Sequence, residues 1–160
     1  IPEVGIVLGS GLGAFGEKIE KAAEIAYGDI PGFPVSTAPG HAGRFLFGYV
    51  EKTPVAVMQG RLHAYEGWSF ADAAYPVRVL RLLGAETLIV TNAAGAINTG
   101  FQVGDLMLIE DHIRIMGESP LRGENLPQFG LRFCDMTETY DPELRAMALE
   151  KAKAMGLRVQ

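Results

Sequence analysis

The chain has 160 residues, 48% of them hydrophobic and 21% charged, with a formal net charge of -5. That is one domain's length with enough apolar material for a packed core, which excludes a disordered chain. The acidic balance argues against a broad nucleic-acid-binding surface, so any anion site must be built locally from a few aimed donors. Cys134 is the only cysteine, which rules out an internal disulfide and a cysteine-rich metal site and fits a cytoplasmic location. No basic region followed by an apolar core opens the sequence, and no apolar run approaches the ~20 residues that span a bilayer.

The first predicted strand is Val4–Leu8. Gly9-Ser10-Gly11-Leu12-Gly13 follows it, a run whose glycines permit a tight turn and a close backbone approach to an anion, with the Ser10 hydroxyl beside them. Gly9, Gly11 and Ala14 match the spacing of a dinucleotide fingerprint. However, the helix that residues 14–21 would form is short, and Pro31-Gly32-Phe33-Pro34 and a hairpin come where a crossover helix and parallel strand are required. A glycine turn without a ligand reads equally well. Pro39-Gly40-His41-Ala42-Gly43-Arg44 places a histidine in a glycine-flanked loop. Arg44–Val50 and residues 55–59 read as a β-hairpin turning at Glu51-Lys52-Thr53.

Gly60-Arg61-Leu62-His63-Ala64-Tyr65-Glu66-Gly67 then gathers a guanidinium, an imidazole, a phenol and a carboxylate where a strand leaves the sheet. On an extended backbone Arg61, His63 and Tyr65 would point to one side. The planar donor fork of arginine and the adjacent imidazole suit an oxyanion such as phosphate, making Arg61 and His63 candidate catalytic groups. The competing reading is a solvated, charged turn. Residues 69–83 are predicted helical, interrupted or kinked near Pro76 and closing at Gly84. The apolar run 87–91 reads as a strand buried on both faces. Thr91-Asn92-Ala93-Ala94-Gly95 follows, with small residues that leave room for a ligand at a strand's C-terminal end.

Residues 106–109 read as another strand, 117–132 as a long loop rich in Gly, Pro and Asn, and 142–155 as a helix with Leu144, Met147, Ala148 and Ala152 on one face and Gly156 as its stop. Helix-to-strand succession with a hairpin implies an α/β fold with a mixed central sheet flanked by helices, in a single domain over residues 1–160. Ile1 is not an initiator methionine, and Leu157-Arg158-Val159-Gln160 reads as the start of a further strand. The chain is therefore expected to be the N-terminal portion of a longer one. His41, His63 and His112 match no zinc-ligand spacing, and Arg61 beside His63 would repel a cation, so no metal is expected. Ser10 lacks the setting of a hydrolase nucleophile elbow. His112 reads as structural.

Taken together, Gly9-Ser-Gly-Leu-Gly13, Gly40-His-Ala-Gly43, Gly60-Arg-Leu-His-Ala-Tyr-Glu-Gly67 and Thr91-Asn-Ala-Ala-Gly95 resemble, in order and spacing, the trimeric class of purine nucleoside phosphorylases. Asp111-His112-Ile113, Pro120-Leu-Arg-Gly123 and Arg132-Phe133 continue the similarity, which runs from Val4 to about Arg145. The resemblance implies a nucleoside phosphorylase-like fold and reversible phosphorolysis of purine nucleosides to free base and (deoxy)ribose 1-phosphate. Inorganic phosphate is then the co-substrate, with no metal or organic cofactor. It implies that Ser10, His41, Arg61, His63 and the backbone N–H of Ala93 bind phosphate, and that Tyr65 touches the ribose. It also implies that Phe133 reaches a neighbouring subunit's sugar pocket in a homotrimer. Nearness and charge add Glu66 as a group that orients His63. This chain departs from the family in carrying Cys134 where proline usually follows the phenylalanine. The family's purine-recognising residues fall beyond residue 160, leaving the phosphate half of a site. Three alternatives stand beside this reading: a methylthioadenosine phosphorylase, a non-catalytic phosphate- or nucleotide-binding module, and a dinucleotide-dependent dehydrogenase.

Overall fold

Near-continuous apolar runs in β1, β3 and β4 build the centre of the sheet. The computed structural model describes residues 1–37, 42–115 and 117–160. Its strands are β1 (Val4–Leu8), β2 (Glu20–Ala26), β3 (Arg44–Val50), β4 (Thr53–Gln59) and β5 (Thr87–Val90), in the order β2-β3-β4-β1-β5. β1 runs parallel to both β4 and β5, whereas β2-β3 and β3-β4 are antiparallel. Val7, Phe45, Ala56 and Met58 face one side of the sheet, and Ile6, Leu8, Leu46, Val55 and Val57 face the other. Side chains of a strand alternate between faces, so each of these strands contributes to two cores. Burying each such large side chain is worth about 1.5–3 kcal/mol.

The first core is closed by Leu80 and by an aromatic cluster. Tyr27 and Phe33 lie 5.0 Å apart by ring centroids, and Phe33 and Phe45 5.4 Å. Leu80 belongs to α1 (Phe70–Leu82), which Ser69 caps by accepting from the Asp72 N–H while Asp72 returns a bond to the Ser69 N–H. This reciprocal capping box fixes where the helix begins. The expected interruption at Pro76 does not occur: α1 is continuous through it, with the proline ring buried. Apolar packing there outweighs the lost backbone bond.

Three further expectations are corrected. Residues 14–21 form no α-helix; a 3-10 turn (Gly13–Lys18) gives way to β2. The Glu-Lys-Ala-Ala-Glu composition favours a helix, but pairing with β3 overrides that weak preference. The hairpin turns on Glu51-Lys52 alone, since Thr53 already pairs with Val50. Within residues 1–160, β5 is not buried on both faces: it ends the strand order, and Leu88, Ile89 and Val90 are each 40–48% exposed.

By contact density the chain falls into two units, Ile1–Ala93 with Glu118–Glu124, and Ala94–Gly117 with Asn125–Gln160. The first holds the sheet. In the second, the strand expected at 106–109 is reduced to a single parallel bridge between Leu106 and Val159. Its helix, α2 (Pro142–Ala154), is capped by Asp141 and keeps Leu144, Met147 and Leu149 exposed. His112 Nε2 lies 2.6 Å from the Tyr140 hydroxyl in the same unit. Among the described residues, no helix is long and apolar enough to cross a membrane.

Candidate functional site

Three parallel strands end side by side. Leu8 pairs with Gln59 and Val7 with Val90, so the segments after β1, β4 and β5 leave the sheet at one end. The chain also enters β3 there, since Arg44 pairs with Gln59. The carboxyl ends of parallel strands are the usual ligand site of open α/β sheets. The Gly9–Gly13 run, the Gly60–Gly67 segment and Thr91 to Ala93 therefore border this end; His41 lies outside the described residues.

After β1, the Leu12 N–H bonds to the Gly9 carbonyl and Gly11 has a φ of 84°. This is the turn that needs glycine at its third position. Ser10 sits exposed at its tip. After β5, Asn92 and Ala93 follow Thr91 and are exposed.

After β4 the chain bends at Gly60, with a φ of 106°, His63 is extended, and Ala64–Glu66 then turn as a 3-10 helix. The expected alternation of Arg61, His63 and Tyr65 along one extended strand is therefore not formed. Tyr65 nevertheless remains beside His63, its ring stacked on the imidazole at 4.5 Å and 20° and 78% exposed. Arg61 Nη1 donates to the Thr91 carbonyl at 2.9 Å, and its Nε faces His63 Nε2 at 3.5 Å. A buried phenol braces the start of this segment: the Tyr27 hydroxyl donates to the Gly60 carbonyl at 2.7 Å, and burial pushes its pKa up.

Glu66 is the hub of the turn, its side chain only 2% exposed. Oε1 accepts from the His63 N–H at 2.9 Å and lies 2.7 Å from Nδ1. Oε2 accepts from the Thr37 N–H, from the Thr37 hydroxyl at 3.0 Å and from the Ser36 hydroxyl at 3.2 Å. Burial pushes this carboxyl up, but the Thr37 N–H, the His63 ring, the Thr37 hydroxyl and the His63 N–H together hold it down at about 2. An ionised carboxylate only accepts, so Nδ1 carries a proton and Nε2 is turned toward Arg61. A neutral ring can accept from the hydroxyl of a phosphate monoanion at Nε2; a charged ring can donate to the dianion.

The structure thus brings Arg61, His63, Tyr65 and Glu66 into one contact chain and sets Ser10 and Ala93 on the neighbouring strand ends. Phe133 belongs to the second unit and is 87% exposed. Sequence reasoning missed Gln59, Ser36 and Thr37. Gln59, 8% exposed, donates to the Gly13 carbonyl and accepts from Arg44 Nε, each at 2.7 Å, tying the glycine turn to β3 and β4. An amide ending an otherwise apolar strand was the available signal, since a buried polar group demands partners. Ser36 and Thr37 lie some 30 residues from Glu66 and carried no signal.

Comparison with known proteins shows the family. The sequence profile of the phosphorylase superfamily matches residues 3–160. A purine nucleoside phosphorylase 1 from Geobacillus stearothermophilus is 54% identical over 99% of this chain and 58% of its own length. The purine nucleoside phosphorylase of Bos taurus is 51% identical over 97% of the chain and 55% of its own. Among solved structures, Schistosoma mansoni purine nucleoside phosphorylase in complex with adenosine superposes with a TM-score of 0.90 at 41% identity, covering 98% of this chain and 56% of that one. A schistosomal enzyme in complex with hypoxanthine gives 0.90 at 40% identity, over 97% and 55%. The chain therefore spans little more than half the length of these relatives. With a profile match over nearly its whole length and a mixed sheet that superposes on these structures, the chain belongs to the phosphorylase superfamily.

Proposed function

We propose that the complete protein catalyses reversible phosphorolysis of purine nucleosides, giving free purine and (deoxy)ribose 1-phosphate. The observation that carries this reading is the convergence of Arg61 and His63 with the Gly9–Gly13 turn and the Ala93 segment at one sheet end. The relatives' names support it.

In this reading Arg61 presents its donor fork to phosphate, His63 adds Nε2, and Ser10, His41 and the Ala93 N–H complete the grip. Glu66 holds the imidazole in place. One phosphate oxygen attacks the sugar C1′ as the C1′–N bond breaks. The bonding pair leaves with the base, which takes up a proton, and the new C1′–O bond completes the sugar phosphate. Positive charge builds on the sugar at the transition state. Phosphate is nucleophile and counter-charge together, so positioning and electrostatics supply most of the rate. Tyr65, exposed beside His63, contacts the sugar. Inorganic phosphate is the only co-substrate, with no metal or organic cofactor, and the reaction is cytoplasmic.

The test is release of hypoxanthine from inosine by the complete protein, with and without phosphate. Release only with phosphate is expected. Phosphate binding without base release would leave a binding module, and release from methylthioadenosine alone would point to that substrate instead.

Phe133 is assigned to a neighbouring subunit's sugar pocket in a homotrimer; its exposed ring suits an interface anchor. Phe133→Ala is expected to raise the nucleoside KM by about tenfold, in line with loss of one aromatic anchor, with little change for phosphate. A fully active monomer in sedimentation analysis would contradict the assignment.

A further inference from the structure

We infer that the side-chain hydroxyl of Thr91 is a positioning group for the anion site, setting the Gly9–Gly13 turn and Arg61 in register; this rests on the phosphate reading above. Thr91 follows the last residue of β5. Its Oγ1 donates to the Val7 carbonyl at 3.0 Å and accepts from the Gly9 N–H at 2.8 Å. Its own N–H also reaches the Val7 carbonyl, at 3.1 Å, and its carbonyl accepts from Arg61 Nη1 at 2.9 Å. One residue thereby touches the end of β1, the first residue of the turn that carries Ser10, and the guanidinium of Arg61. It stands two positions before Ala93.

The chemistry requires a hydroxyl. Oγ1 donates to one backbone group and accepts from another at once, and valine, of the same shape, does neither. The two loops also touch through backbone. A Cβ on Gly9 would lie 2.5 Å from the Thr91 carbonyl oxygen and 2.8 Å from Asn92 Cα. Only glycine fits, and a shift of either loop is passed to the other. Without the hydroxyl the Gly9 N–H loses its acceptor, the turn is released from β5, and the carbonyl that holds Arg61 moves with it. Thr91 itself need not touch the anion.

A threonine that merely satisfies a strand end would lower stability when replaced but would not single out phosphate. The test therefore compares Thr91→Val and Thr91→Ser in the complete protein. It reads phosphate affinity by calorimetry without nucleoside, the KM values for phosphate and inosine, and the melting temperature. The valine variant is expected to weaken phosphate binding and raise its KM about tenfold while the inosine KM stays within about twofold, the size expected for one lost hydrogen bond. Serine, which keeps the hydroxyl, should restore phosphate affinity. Unchanged phosphate affinity in the valine variant, a serine variant as weak as valine, or phosphate and inosine KM values rising together would each overturn the inference. If the unaltered protein binds phosphate but cleaves no nucleoside, the phosphorolysis reading fails alone and the calorimetric comparison still decides the role of Thr91. If it binds no phosphate, both fail.

Discussion

Arg61→Ala is expected to raise the phosphate KM by about 100-fold or more and to depress turnover, the largest single effect in this protein. A guanidinium offers two parallel charge-assisted bonds to an oxyanion, each worth about 1.5–3 kcal/mol, and a factor of ten costs about 1.4 kcal/mol. Arg61→Lys should recover only part of the loss, because a point charge replaces the fork. Arg61 also holds the Thr91 carbonyl, so its removal loosens the loop after β5 as well. Steady-state kinetics with phosphate varied at saturating inosine checks this. An unchanged phosphate KM in a folded variant would contradict the assignment of Arg61.

The second large effect belongs to Glu66. Glu66→Gln replaces a pure acceptor by a group that must also donate, and it faces donors from His63, Thr37 and Ser36. The imidazole then loses the partner that fixes its tautomer, and kcat/KM for phosphorolysis is expected to fall about 10- to 100-fold, the size of one lost hydrogen bond to a charged group. The same carboxylate carries a pH signature. Its pKa is lowered from the usual 4.5 to about 2 in the fold. Its contribution to stability is therefore complete above pH 4.5 and is lost as pH falls toward 2. Melting curves of the two proteins should differ most above pH 4.5 and converge at the acid end. A difference that stays constant over this range would show that the Glu66 charge contributes nothing.

Much of the site was legible because its chemistry is local in sequence. Arg61, His63, Tyr65 and Glu66 lie within six residues, and the glycines around Ser10 mark a turn by backbone requirement alone. The strands that deliver them were legible from the short apolar runs of β1, β3 and β4. What the sequence hid was non-local. β2 has a helix former's composition and becomes a strand only because β3 pairs with it. Ser36 and Thr37 meet Glu66 only after the chain has folded back, and Thr91 reads as an ordinary strand residue until its hydroxyl is seen between Val7 and Gly9.

The central claim is that phosphate held at the ends of β1, β4 and β5 is the nucleophile. Phosphorus NMR of the complete protein with inosine and inorganic phosphate tests it most directly. The account predicts a ribose 1-phosphate resonance that grows in step with free hypoxanthine as inorganic phosphate declines. Hypoxanthine accumulating with free ribose, while the inorganic phosphate signal stays constant, would make water the nucleophile and contradict it.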